Sequence, residues 1–155
     1  MVQIVKAKQL HVPEIVTIWK ELMDFHKKRD PFFTRKADGH YNFEKYVKKL
    51  MGSKSSQVLV ALDGEKVVAF STACVSQYPP VLKRTNYGLI SNIAVKEKYR
   101  RREIGENILS EIKKWFSKQG ITRIELRTSS ENEVARSFWA KHGFKEYERI
   151  MYLDI

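Results

Sequence analysis

The chain has 155 residues, of which 43% are hydrophobic and 30% are charged, and this length predicts a single domain over residues 1–155. No apolar run is long enough to cross a bilayer, the N-terminus lacks a signal-peptide core, and the one cysteine, Cys74, excludes an internal disulfide, so we expect a cytoplasmic protein. The formal charge of +11 favours a polyanionic partner such as a nucleotide cofactor. Nucleic acid is the weaker alternative because the other cations are scattered in pairs and triplets, and no membrane partner is expected.

The first half of the chain combines strand and helix patterns. Apolar residues at helical spacing, from Ile15 to Phe25, predict an amphipathic helix that begins near Pro13. The Asp63-Gly64 pair predicts a hairpin turn between two apolar strands. The predicted elements are a strand at 2–7, a helix at 13–28, an irregular segment at 27–41, a helix at 43–51, and strands at 57–62 and 66–76.

The second half is organised around a strand that runs into a basic loop and then a helix, whose apolar positions from Ile104 to Phe116 are four residues apart. Ser130 and Glu133 form a predicted capping box for a later helix. The predicted elements are a strand at 87–95, a helix from about 103–105 that Gly120 ends, a strand at 121–128, a helix that Gly143 ends, and a final strand at 144–153. The order β-α-α-β-β-β-α-β-α-β predicts a mixed sheet with helices on both sides.

The loop between the strand at 87–95 and the following helix is a predicted anion site. Free backbone N–H groups and the positive end of the helix dipole converge at such a junction, a geometry that binds phosphate. Five cations crowd the same turn: Lys96, Lys98, Arg100, Arg101 and Arg102. A solvated charge run before an ordinary helix is the alternative interpretation.

Two motifs in this part of the chain resemble those of the GNAT superfamily of N-acetyltransferases. In the acetyl-CoA-binding motif V-x-x-x-Y-R-x-x-[G]-x-G, the matching residues are Val95, Tyr99, Arg100 and Gly105, whereas Glu103 stands where the family usually has glycine. In the second motif, N-x-x-A-x-x-[FY]-Y-x-x-x-G-F, the residues at the family's positions are Asn132, Ala135, Phe138, Trp139, Gly143 and Phe144. The resemblance covers nearly the whole chain.

The resemblance implies an α/β (α+β) GNAT fold. Its central sheet would be mixed, mostly antiparallel and twisted, with six to seven strands, about four flanking helices, and a splay between the fourth and fifth strands. Acetyl-CoA would be the co-substrate, with its pantetheine arm added to the free strand edge and its pyrophosphate held by the loop amides. The implied binding residues are Ile93, Ala94, Val95, Arg100, Arg101, Arg102, Glu103, Ile104, Gly105, Glu106, Asn132, Phe138 and Trp139.

The same resemblance implies direct attack of an amine on the thioester, with a backbone N–H near Ile93 stabilising the oxyanion. The tyrosine that usually supplies the proton is replaced by Trp139, and Ser91 stands where many relatives carry a basic glutamate. The acid and base are therefore unassigned. The candidates are Ser91, Asn92 and Tyr147, with Tyr152 as a further possible acid, and ordered water is the alternative. The histidine spacing predicts no metal site.

Glu103 is expected to direct its carboxylate away from the phosphates and to pair with a neighbouring arginine. The predicted function is acetyl transfer to a primary amine of a small molecule or protein, whose identity the sequence leaves open. A coenzyme A-binding sensor of the same fold, with little catalysis, is the alternative. A homodimer is also left open.

Overall fold

The computed structural model, which describes residues 1–155, contains five strands and four α-helices. In chain order they are β1 (Val2–Lys6), α1 (Val12–Arg29), α2 (Gly39–Met51), β2 (Ser56–Asp63), β3 (Lys66–Gln77), β4 (Asn86–Val95), α3 (Ile104–Lys118), β5 (Ile124–Leu126) and α4 (Glu133–Lys141). Short 3-10 turns lie at Gln9–His11, Pro31–Phe33 and Glu97–Tyr99. None of the helices combines the length and the apolar character that crossing a bilayer requires.

The strands form one sheet in the order β1-β2-β3-β4-β5. Neighbouring strands from β1 to β4 are antiparallel, and β5 pairs in parallel with β4. A parallel pair needs a crossover connection, which α3 provides here. The predicted mixed, mostly antiparallel sheet with four helices is therefore confirmed.

Each face of the sheet has its own hydrophobic core. On one face α1 and α2 bury Ile15, Ile18 and Val47 against Phe70 of β3 and Ala94 of β4. On the other face α3 covers Ile90 of β4, using the residues that the helical spacing singled out: Ile104, Ile108, Ile112 and Phe116. Because both faces of β3 and β4 are covered, these two strands are the rigid centre from which the loop after β4 extends.

The number of strands differs from the prediction, since five are present rather than six to seven. Residues 144–153 form no strand, and β5 is limited to Ile124–Leu126 within the predicted 121–128. A strand exists only where a neighbouring edge accepts its backbone groups, and sequence alternation cannot show whether such an edge is within reach. The helix at 43–51 was also predicted too short, because α2 begins at Gly39.

Candidate functional site

The site begins where β4 and β5 part. Their parallel pairing extends only from Gly88 to Ile90 on β4, opposite the three residues of β5. β4 then continues to Val95 with β3 on one side and no strand on the other. The outer edge of residues 91–95 is consequently free to accept an extended ligand as an additional strand.

A β-bulge lies at the start of this free edge. Thr72 of β3 is opposite Asn92, whereas the next residue, Ala73, is opposite Ile90, so Ser91 has no partner across the pair. The Ser91 side chain is exposed, and the hydroxyl of Thr72 donates to Asn92 Oδ1 at 2.9 Å. A bulge redirects the strand and leaves backbone groups unpaired, which is why bulges recur next to active sites.

The other end of the free edge leads to the N-terminus of α3. The first backbone bond of this helix runs from the Asn107 N–H to the Glu103 carbonyl at 2.9 Å, and no side chain caps the helix. The N–H groups of Ile104, Gly105 and Glu106 therefore have no acceptor within the protein. Together with the helix dipole they form an anion site adjoining the strand edge.

Two residues of the loop adopt left-handed backbone conformations although neither is glycine. Arg101 and Glu103 both have φ of 61°. Glu103 therefore adopts a positive φ, a conformation that glycine would adopt without strain. A residue with a side chain is strained there by about 1–2 kcal/mol, and such strain is characteristic of functional loops. In general, successive N–H groups of a backbone that alternates between right- and left-handed conformations form a concavity that favours an anion.

The loop cations do not all point to this concavity. Arg100 donates from Nε to the Val95 carbonyl at 3.2 Å, and the Lys96 ammonium lies 3.8 Å from the Glu14 carboxylate. Arg101 and Arg102 are exposed, with the Arg102 guanidinium 5.3 Å from the Tyr99 ring. Two of the five cations thus hold the strand end, and Arg101 and Arg102 are free to face a ligand.

The α4 helix packs over the start of α3. A Cβ atom at Gly105 would lie 3.5 Å from the Phe138 ring, so the absence of a side chain there lets the two helices touch. The Lys141 ammonium bonds Glu106 Oε1 at 2.6 Å. The Glu103 carboxylate makes no ion pair with an arginine, contrary to expectation, and instead adds to the effect of Glu106 in raising the pKa of Lys141.

Asn132 and Trp139 both have structural roles. Asn132 is buried and accepts the Ala135 N–H on its Oδ1 at 3.1 Å, so it caps α4 in place of the predicted Ser130. Trp139 is half-buried and stacks edge-on against Phe138 and Phe144 at 4.9 and 5.1 Å between ring centroids. These residues position α4 against the anion site.

A cluster of polar side chains lies on the sheet face opposite α3. Glu125 of β5 accepts hydrogen bonds from the hydroxyls of Tyr78 and Tyr147 (the latter at 2.7 Å) and from Arg123 Nε at 3.0 Å. Burial opposes ionisation of this carboxyl, but the three donors outweigh it and lower its pKa. Glu125 therefore carries a negative charge at neutral pH. The stacked ring of Tyr87, 4.4 Å from that of Tyr78, completes the cluster.

Glu125 and the bulge share one face of the sheet. Leu89 is opposite Glu125, and it points away from α3 because its neighbour Ile90 points toward α3. Asn92 also points away from α3, because Ala94, two residues further along the strand, lies in the α1/α2 core. Leu89 and Asn92 are three residues apart, or roughly 10 Å along the strand. The charged cluster is therefore a neighbour of the free strand edge.

Ser91, Asn92 and Tyr147, the catalytic candidates from the sequence, have different surroundings in the structure. Ser91 is exposed at the bulge, Asn92 is bound to Thr72, and Tyr147 is bound to Glu125, which together with burial raises the pKa of its hydroxyl. Burial also raises the pKa of the Cys74 thiol, which leaves it protonated at neutral pH. Neither Tyr147 nor Cys74 is activated for chemistry in this arrangement.

Sequence reasoning did not single out Glu125. Glu14 of α1, by contrast, accepts the Val67 N–H at 3.1 Å and pairs with Lys96, so its carboxylate serves the fold. The missed signal was a charged residue between two apolar ones, Ile124 and Leu126, in a strand at the edge of the splay.

Comparison with known proteins gives a consistent result. The profile described as the acetyltransferase (GNAT) family matches residues 17–144. A curated relative, the spermidine N(1)-acetyltransferase of Thermoplasma acidophilum, is 27% identical over 105 residues, which are 68% of this chain. The match spans 62% of that relative's length.

Two solved structures share the fold. A tetramutant of the BH1408 protein from Bacillus halodurans has a TM-score of 0.89 and 24% identity, with 99% of both chains covered. A predicted acetyltransferase from Clostridium acetobutylicum, solved with acetyl-CoA, has a TM-score of 0.81 and 18% identity, covering 99% of this chain and 96% of that one.

Proposed function

We propose that this chain, which belongs to the acetyltransferase (GNAT) family, is an acetyl-CoA-dependent N-acetyltransferase that moves the acetyl group directly to a primary amine of a cationic small molecule. The observation that carries this proposal is the continuous path from the uncapped N-terminus of α3, along the free edge of β4, to the bulge at Ser91. Acetyl-CoA supplies the thioester whose acyl group is transferred.

The N-terminus of α3 holds the phosphate end. The unpartnered N–H groups of Ile104, Gly105 and Glu106 bind the pyrophosphate oxygens, and the exposed Arg101 and Arg102 add positive charge. The pantetheine arm lies along residues 93–95 as an added strand, with Ile93 and Val95 supplying backbone groups. Phe138 and Asn132 support this surface from α4.

The bulge holds the reacting end. Backbone N–H groups freed there, near Ile93, stabilise the negative oxygen that develops when an amine attacks the thioester carbonyl. No covalent enzyme intermediate is needed, because the protonated Cys74 is not a nucleophile. The exposed hydroxyl of Ser91 and water in the open splay relay the proton from the amine to the sulfur of coenzyme A, which leaves as the thiol when the C–S bond breaks.

The Glu125 cluster recognises the acceptor. An ionised carboxylate beside the aromatic rings of Tyr78, Tyr87 and Tyr147 suits an ammonium group, which aromatic faces also attract. An acceptor with two or more amines can place one ammonium at Glu125 and direct a neutral amine to the bulge. The similarity to a spermidine N(1)-acetyltransferase supports acceptors of this class.

Glu125→Gln tests the acceptor site. We expect kcat/KM for spermidine to fall about tenfold, equivalent to 1.4 kcal/mol, because one charge pair is lost, while kcat/KM for an amine with no second cation changes little. Glu111→Gln is the matched control, since Glu111 pairs with Lys114 on α3, away from the cluster. Equal losses for both amines, or no loss for spermidine, would contradict the assignment of Glu125.

A further inference from the structure

His142, which directly follows α4, carries a buried ring nitrogen that has no hydrogen-bond partner. Its side chain is 19% exposed, and the Nε2 atom is enclosed. A buried polar atom without a partner calls for a specific explanation. The His142 ring lies 4.6 Å from that of Phe138, measured between centroids, and Phe138 packs beside Gly105 in the first turn of α3. The imidazole is therefore held against the start of α3.

The group that faces this nitrogen is the carboxylate of Glu106. Glu106 Oε1 lies 3.7 Å from His142 Nε2, which is too long for a hydrogen bond, and 2.6 Å from the Lys141 ammonium. Two side chains from the end of α4 are thus directed at one oxygen. Solvent screens the charge of Lys141, whose side chain is 68% exposed, whereas the enclosed imidazole is screened less. A change of charge on His142 therefore acts on Glu106 with little screening.

Glu106 belongs to the turn of α3 that forms the anion site. Its backbone N–H is one of the unpartnered donors there, and its carboxylate is the acidic group of that turn. The Lys141 hydrogen bond lowers the pKa of Glu106 although desolvation opposes it, so the carboxylate is charged at neutral pH. A negative charge beside the site weakens the attraction for a phosphate ligand, and each nearby cation offsets that effect.

Histidine is the side chain whose charge changes between about pH 5 and 8. A protonated imidazole donates from both nitrogens, so His142 Nε2–H can close the gap to Glu106 Oε1. His142 is also the C-cap of α4, and the C-terminal end of a helix favours a cation. Of the other charged groups in this cluster, Lys141 opposes a second cation, and Glu103, which acts on Lys141, favours one. Protonation therefore gives Glu106 a second cationic partner and adds one positive charge near the anion site.

We propose that His142 makes acetyl-CoA binding pH-dependent, because its protonation gives Glu106 a second cationic partner and strengthens the hold of the α3 N-terminus on the pyrophosphate. This role rests on the proposed function, since it requires the pyrophosphate at that end of α3. The affinity for acetyl-CoA rises as the pH falls through the range in which the imidazole gains its proton. His142 is thus a positioning residue that acts through Glu106.

Titration calorimetry with acetyl-CoA, at matched salt and between about pH 8 and pH 5.5, tests this role. The ligand's own phosphate monoester gains a proton near pH 6, so wild type is compared with His142→Gln at each pH, and the contribution of the ligand cancels. From the high to the low pH, the affinity of wild type relative to His142→Gln should rise about three- to tenfold.

His40→Gln is the matched control for His142→Gln. His40 also has a buried ring nitrogen without a partner, but it lies in α2, which covers the other face of the sheet. This variant should keep the wild-type pH dependence. Loss of that dependence in both variants would overturn the role of His142, because the effect would then not be specific to the contact with Glu106.

Nuclear magnetic resonance of the His142 ring is a second measurement, made on the unaltered protein. Because coupling between two bound species is reciprocal, acetyl-CoA should increase the protonated fraction of His142 at about pH 6.5. A fraction that acetyl-CoA leaves unchanged or lowers, or equal pH dependence in wild type and His142→Gln, would overturn the role of His142 while the proposed function stands. Absence of acetyl-CoA binding at every pH would overturn the proposed function as well.

Discussion

Glu103 has a strained backbone and lies in the loop that precedes the anion site. Its φ of 61° is one that glycine adopts freely and glutamate does not. Its carboxylate is exposed and acts on Lys141 of α4, which lies across from the loop. The loop therefore keeps the backbone geometry that glycine would give while its negative charge is directed toward a cation.

We expect Glu103→Gly to stabilise the fold and to strengthen acetyl-CoA binding modestly. Relief of the left-handed strain, less the entropy that glycine loses on folding, should raise the free energy of unfolding by about 0.5–1 kcal/mol. Binding should tighten by less than about tenfold, or 1.4 kcal/mol, because the carboxylate does not face the phosphates. Denaturant unfolding and titration calorimetry at matched salt measure the two effects.

Lys98→Gly is the control for Glu103→Gly, because Lys98 lies in the same loop without a positive φ. It should lower stability or leave it unchanged. A gain of several hundredfold in acetyl-CoA affinity for Glu103→Gly would mean that the native glutamate blocks the site.

Individual side-chain roles were harder to predict than the motif positions that contain them. Motif spacing picked out Gly105 and Phe138 separately, and the structure shows that they meet, since a Cβ atom at Gly105 would lie 3.5 Å from the Phe138 ring. It could not show that Asn132 caps α4 or that Tyr147 is committed to Glu125, because such contacts depend on which elements meet. Trp139 packs against Phe138 and Phe144, a role unrelated to the proton donation for which relatives usually carry tyrosine at this position.

At the scale of elements, the position of α3 on the sheet depends on Gly88 of β4. A Cβ atom there would lie 2.6 Å from Phe116 Cζ, so the phenyl ring lies directly on the strand backbone. This contact sits next to the three residues where β4 and β5 pair. It therefore fixes α3, whose N-terminus is the anion site, relative to the splay.

Gly88→Ala should lower the free energy of unfolding by about 1–3 kcal/mol, because the methyl group overpacks the contact with Phe116. Adding Phe116→Leu should recover part of the loss, giving a favourable coupling in a double-mutant cycle. Gly52→Ala is the control, since its nearest contact would be 3.7 Å and its φ of −86° suits alanine. Strictly additive losses for Gly88→Ala and Phe116→Leu would show that the ring does not rest on Gly88.

The elements themselves were largely predictable, and the exceptions have a common cause. Helical spacing located α1 and α3 because each buries a single face, and apolar runs located β2, β3 and β4 because each is paired on both sides. The prediction failed at residues 144–153, which contain apolar residues in succession but do not pair with another strand. A sequence pattern shows that a segment has apolar side chains to bury, but it does not show which other element covers them.

At the scale of the whole molecule, two surfaces meet at the splay of the sheet. The uncapped N-terminus of α3 and the edge of β4 form a binding surface for an anionic, extended molecule. The Glu125 cluster, in which the carboxylate is paired with Arg123, lies about 10 Å along the strand from Asn92. In the proposed function, a cationic acceptor and anionic acetyl-CoA reach the bulge from opposite directions, which favours direct transfer between them.

Initial rates of thiol release, with acetyl-CoA and spermidine varied together, test this account most directly. Direct transfer in a ternary complex predicts reciprocal plots that intersect, together with no burst of thiol when the amine is omitted. Parallel plots with a burst would indicate an acetylated enzyme and contradict the account. Tight acetyl-CoA binding without thiol release for any amine tested would contradict it as well, since the chain would then be a coenzyme A-binding sensor.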